Sequence, residues 1–262
     1  MSQLTLSTSE SRLLEKLSKN QYMQPIQKRI DDWVEKSGNS QSSWKKVLDN
    51  LYEISRDSQD EINSILDSRL VSGEISDKVQ ASRSIAGNIF SSAIIYILIQ
   101  NKLVGNISEK IFIANHKSTI PDAEKMFTIN IGEEVEKLDI NLAIYSLKEN
   151  LKVSNCIIIN LCKSSIDSVE KIYKWKLLME IAISDCEVRE KYNISYKASP
   201  IPVICVATLD SHNVINNPQH RGMFKFFDRA FIGKPIDPQA TDFISPLSSL
   251  IDFANENLAQ SG

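Results

Sequence analysis

Cys156-Ile157-Ile158-Ile159-Asn160-Leu161-Cys162-Lys163-Ser164-Ser165 decides the architecture. Its isoleucine-rich centre is bounded by polar residues, the pattern of a central strand buried on both faces. Ile166 to Ser184 then reads as a long helix. Val203 to Thr208 reads as a second apolar strand, preceded by Pro200 and Pro202. Upstream, Ile111 to Ala114 and Met126 to Ile131 are short β-type runs, and Leu138 to Tyr145 alternates before turning apolar. Downstream, the aromatic stretch Phe224 to Ile232 ends in a strand, and Pro246 to Leu258 forms a closing helix with Pro246 near its first turn. Residues 8 to 105 carry apolar side chains at three- and four-residue spacing, as in Leu13, Leu14, Leu17 and Trp44, Val47, Leu51, Ile54, and read as helical. Ser43 is the expected N-cap ahead of Trp44. The order predicts an α/β fold: a mixed sheet with helices on both faces over residues 80–262, behind an N-terminal helical region over 1–79.

The composition narrows the setting. The chain has 262 residues, 42% of them hydrophobic, enough for an ordinary core. The longest apolar run, Ile85 to Ile99, is broken by Gly87, Asn88, Ser91 and Ser92 and falls short of the roughly 20 apolar residues a bilayer demands, so it reads as a buried helix. Met1 to Glu10 is polar and has no leader pattern. A cytoplasmic protein without a membrane partner is expected. The four cysteines form no CxxC pair and read as buried thiols, and the three histidines lack zinc spacing. A net charge of −3 gives no basic footprint across the whole chain, which leaves room for a locally basic cleft.

Several segments together resemble a known family. Lys137-Leu138-Asp139 opens one strand, and the next ends in Lys163. Ser82-Arg83-Ser84-Ile85-Ala86-Gly87-Asn88-Ile89-Phe90 looks like the entry to a first core helix. Val203 to Thr208 followed by Asp210, then Phe227-Asp228-Arg229-Ala230-Phe231-Ile232, looks like the later strands. In this order, over roughly residues 80 to 255, they resemble the PD-(D/E)xK nuclease superfamily, and type II restriction endonucleases within it. The chain departs from the family pattern at two places. Leu161 stands where an acidic residue precedes the lysine, and Ser91 stands where the first helix carries a glutamate.

The resemblance implies a Mg²⁺-dependent, sequence-specific endonuclease acting on double-stranded DNA. The metal polarises the phosphate and activates water, on carboxylates held by adjacent strands. It assigns Asp139 and Lys163 to catalysis, with Asp139 on the metal. Glu170 or Glu180 on the following helix would supply a relocated carboxylate, Glu170 being the second metal candidate. Alternatively, Glu170 sits favourably near a helix N-terminus and Glu180 pairs with Lys176 four residues earlier. Pro121-Asp122 is either a literal Pro-Asp ligand or a turn. Ser164 and Ser165 either contact phosphate or cap the next helix. The amide-rich stretch Asn213 to Arg221, with Asn217, Gln219, His220 and Arg221, reads as a loop, either reading bases in the major groove or ordinary surface. The resemblance also implies a homodimer and a cognate DNA methyltransferase. The alternatives are a nuclease fold that binds DNA or a partner without cutting, and a helical interaction protein.

Overall fold

The computed structural model describes residues 5–162, 166–209, 217–236 and 244–258. Six helices come first: α1 (Thr8–Ser18), α2 (Gln24–Lys36), α3 (Gln41–Lys46), α4 (Leu51–Asp57), α5 (Gln59–Val71) and α6 (Lys78–Leu103). There follow β1 (Ile111–Ala114), the short α7 (Ala123–Met126), β2 (Thr128–Ile131), β3 (Glu134–Lys137), β4 (Leu142–Leu147) and β5 (Val153–Cys162). Helix α8 (Ile166–Ile183), α9 (Glu187–Lys191), β6 (Ile194–Ser195), β7 (Val203–Thr208), α10 (Pro218–Phe226), β8 (Arg229–Ile232), β9 (Ser245–Pro246) and α11 (Leu250–Leu258) complete the order.

The strands build a six-stranded sheet in the order β1-β4-β5-β7-β8-β9 and a three-stranded sheet in the order β3-β2-β6. In the large sheet β1, β4 and β5 pair antiparallel, and β5, β7, β8 and β9 pair parallel. The sheet is therefore mixed, as expected. Alternation along each strand splits its side chains between two layers. Leu142, Ile144, Ile157, Ile159, Leu161, Cys205, Ala207 and Phe231 face one core shared with the N-terminal helices and α11. Ala143, Tyr145, Cys156, Ile158, Cys162, Ile204, Val206 and Ile232 face the other, under Val169, Ile172, Trp175 and Met179 of α8 and beside Ile129 and Ile194 of the small sheet. Burial on both faces explains why β5 is so rich in isoleucine.

Helices α1 to α6 thus roof one face of the sheet. Two contacts fasten them. The Glu10 carboxylate and the Lys102 ammonium meet at 2.9 Å through both carboxylate oxygens, each side chain 1% exposed. Lys102 also donates to the Ile111 carbonyl at 2.6 Å, and Glu10 accepts from the Ile113 amide at 3.1 Å, so the pair ties α1 and α6 to β1. Glu10 further closes a capping box with Ser7. At the far side of the sheet Gly233 accepts the Tyr52 amide at 2.9 Å. A Cβ on Gly233 would lie 2.9 Å from a Leu209 methyl and 3.2 Å from the Leu48 carbonyl, so glycine lets the turn before α4 approach without displacing either.

Several local readings are refined. Helix α3 begins earlier than expected, capped by Ser40, and Ser43 is the N3 residue that bonds back to it rather than the cap. Met126 closes α7, so β2 starts at Thr128. The closing helix starts at Leu250, because Pro246 lies in β9 and a single 3₁₀ turn follows it. Gln219, His220 and Arg221 fall within α10, not in a loop; Pro218 occupies its first position, where a missing amide costs nothing. Helix α6 is the one described helix long and apolar enough to cross a membrane, and its stretch Ile89 to Ile99, apart from Ser91 and Ser92, is buried in the core.

Candidate functional site

The antiparallel register of β4 and β5 brings the start of one strand beside the end of the other. Leu142 lies opposite Ile159. The Leu161 amide donates to Asn141 Oδ1 at 3.2 Å, so the juxtaposition continues past the last paired residues. Asp139 precedes that point by two residues, and Lys163 follows Cys162 in the chain. The expected catalytic position Asp139 therefore borders the edge of the sheet where the parallel strands β5 and β7 have their carboxyl ends, the usual place for ligands in open α/β sheets. Lys163, Ser164 and Ser165 themselves lie outside the described residues.

Asp139 is 87% exposed and stands between two lysines, Lys117 Nζ at 3.4 Å and Lys171 Nζ at 3.9 Å. At this exposure such pairs contribute little to stability. What they create is a corner with one carboxylate and two ammonium groups, open to solvent. Lys171 comes from the second turn of α8, and Lys117 from the 3₁₀ turn after β1. Neither was singled out from the sequence, because each reaches Asp139 only through tertiary packing. Glu170 precedes Lys171, but adjacent residues point about 100° apart around a helix.

The positions that depart from the nuclease pattern are accounted for locally. Leu161 is 7% exposed and faces the core beneath the N-terminal helices. Ser91 donates to the Gly87 carbonyl one turn back at 3.2 Å. Burial pushes the Cys162 thiol up to about 12. Among the described residues no group of three or more His, Cys, Asp or Glu side chains is placed to hold a metal ion. Pro121 and Asp122 form a turn, with Asp122 at φ 52°.

Glu180 lies elsewhere. It accepts from Lys176 Nζ at 2.6 Å, the i,i+4 pairing open from the sequence, and Lys176 also reaches Asp228 at 3.0 Å. Asp228 in turn accepts the Ile204 amide at 2.6 Å, at the amino end of β7. Glu180 therefore belongs to a clamp at the opposite end of the parallel strands, nine residues and about 14 Å along α8 from Lys171. Burial works against the Lys176 charge, but Glu180 and Asp228 together hold its ammonium above the ordinary lysine range. Asn217 is exposed just ahead of α10, and His220 and Arg221 are half-buried on it.

The BsaWI restriction endonuclease type 2 family matches residues 112–253, which run from β1 into α11 and include the whole Asp139 corner. A second match, to the C-terminal region of QacR-like proteins, covers residues 2–121, the helical roof. No curated protein and no solved structure matches the chain. With more than half of its residues matched, across the sheet, the corner and α8, the chain belongs to the BsaWI family of type II restriction endonucleases.

Proposed function

We propose that the chain is a metal-dependent endonuclease that cuts double-stranded DNA at a specific sequence, with its reaction centre at the corner where β4 begins and β5 ends. The observation that carries this reading is Asp139, an exposed carboxylate flanked by Lys117 and Lys171 on the strand edge, inside the family match.

Mg²⁺ is compatible with a sparse donor set, since it keeps several waters and often binds through one or two carboxylates plus substrate phosphate. Asp139 would hold it, with Glu170 as the second candidate. When bound, the metal would supply the Lewis acid that polarises the phosphate and activates water. The lysines act on the substrate directly. Lys117 and Lys171 draw a DNA phosphate to the corner and offset its charge, and Lys163 would position the attacking water and stabilise charge developing on the phosphate. Asn217 and the first turn of α10 would lie near bases, and a palindromic site would be met by a homodimer. A cognate methyltransferase would protect the host's own sites.

A second reading, a nuclease fold that binds DNA without cutting, is favoured by two residues. Leu161 and Ser91 fill the other acidic positions of the family pattern with neutral groups. One experiment separates the readings. Unmethylated phage DNA is incubated with the protein in Mg²⁺, in Mn²⁺ and in EDTA. Discrete bands in metal alone, lost in Asp139→Ala with its melting temperature unchanged, support the endonuclease. Intact DNA in every metal, with a retained gel shift, overturns it in favour of the binding module.

A further inference from the structure

Beside the Asp139 corner, on the other side of Asn141, lies a second feature. A cleft of about 420 Å³ opens between α1, α6, the end of β1 and the approach to β4. Its polar lining is Lys16, Asn20, Asn88, Ser91, Asn115 and Asn141, together with Ser92. Among the described lining residues Lys16 carries the one charge, and no carboxylate is present.

The amides are polarised in one sense. Asn141 Oδ1 accepts the Leu161 amide at 3.2 Å, and Asn20 Oδ1 accepts the Tyr22 amide at 3.0 Å. Each side chain thereby commits its oxygen to the backbone and keeps its NH₂ group as the remaining donor. Ser91 spends its hydroxyl proton on Gly87, so it adds no donor. Lys16, Asn88 and Asn141 are exposed, so a ligand can reach them. A site with one ammonium, several amide donors and no anion favours a singly charged, oxygen-rich anion, and a phosphodiester has that chemistry.

We infer that this cleft binds a backbone phosphate of the DNA, with Lys16 as its charge and the amides of Asn20 and Asn141 as its hydrogen-bond donors. This rests on the reading of the chain as a DNA-binding enzyme. The cleft and the Asp139 corner share the Ile140–Asn141 segment. The phosphate held here therefore belongs to the strand that runs past the reaction centre, and holding it fixes the register of the strand on the sheet edge. The helical roof thus contributes directly to DNA binding through α1.

The test is metal-free binding of a fluorescently labelled duplex by the full chain, followed by anisotropy in EDTA over a salt series. One phosphate contact contributes a slope of about 0.9 in log K against log salt, which is about an eightfold affinity difference at 0.1 M relative to 1 M salt. Lys16→Ala should lose about eightfold at low salt and lower the slope by about one, while Lys16→Arg should retain both. Asn141→Asp, which puts a carboxylate into the cleft, should weaken binding as well. Circular dichroism melts of all three check that the fold is intact. Wild-type binding with a Lys16→Ala variant of unchanged affinity and slope would overturn the phosphate assignment alone. Absence of salt-dependent binding by the wild type would overturn both it and the DNA-binding reading on which it stands.

Discussion

Replacing Lys102 with methionine tests how the helical roof is joined to the nuclease sheet. All three ammonium protons of Lys102 are used, on Glu10 Oε1, Glu10 Oε2 and the Ile111 carbonyl. Lys102→Met keeps the length and most of the packing but leaves the Glu10 carboxylate, 1% exposed, facing an apolar group. Breaking a buried pair by removing one partner costs about 3–5 kcal/mol, since the remaining charge is unsolvated and keeps only neutral donors, the Ser7 amide and hydroxyl and the Ile113 amide. For a chain of this size 1 kcal/mol corresponds to roughly 2–4 °C, so the melting temperature should fall by about 6–20 °C. Urea unfolding followed by circular dichroism would measure the loss, with an unchanged slope if the exposed surface on unfolding is the same. Glu10→Gln combined with Lys102→Met should recover part of it: no charge remains buried, while the single glutamine oxygen accepts either the Ile113 or the Ser7 amide and not both. A single variant within about 1 kcal/mol of wild type would refute the reasoning, because it would mean that the pair is solvated.

Glu180→Gln should leave metal-dependent cleavage unchanged and cost no more than about 1 kcal/mol, because Glu180 is 43% exposed and Lys176 keeps Asp228; a cleavage assay beside urea unfolding checks both. The Lys176 clamp has a raised lysine pKa, so its contribution is fully present below the unfolded value of about 10.4 and is lost only as pH rises through the folded one. Stability should therefore show no break from this group near neutrality. Of the cysteines, burial pushes the Cys156 and Cys162 thiols up to about 12 and that of Cys205 upward as well, whereas a hydrogen bond with the Ser184 hydroxyl lowers that of the half-buried Cys186. Titration of the native protein with a thiol reagent should modify Cys186 first and the other three only on unfolding; equal rates for all four would contradict the buried placement.

Much of the chain was legible from local pattern. The apolar run ending at Cys162 is a strand because a two-faced burial requires isoleucine at both parities, and Ile111–Ala114 and Val203–Thr208 emerged with the observed bounds. The helix after Lys163 was legible to within a residue at its end. Boundaries moved where a cap or a proline decided them, as at Ser40, Pro218 and Pro246, since one hydrogen bond or one absent amide outweighs propensity there. Strand β3 went unread: every residue of Glu134–Lys137 is exposed, and a single Val135 gives no hydrophobic alternation.

The sequence by itself determined the mixed α/β class, the helical N-terminal region, the central apolar strand with the long helix after it, and the strands Ile111–Ala114 and Val203–Thr208. Each follows from side-chain periodicity along neighbouring residues, which a chain displays without being folded. Only the tertiary structure decided which groups meet across distance. It brought Lys117 and Lys171 to Asp139, placed Glu180 in a clamp with Lys176 and Asp228, and set Lys16 of α1 in one cleft with Asn141. Those meetings depend on strand register and on how helices lie across the sheet, and the pairing energy that fixes them comes from residues far apart in the chain.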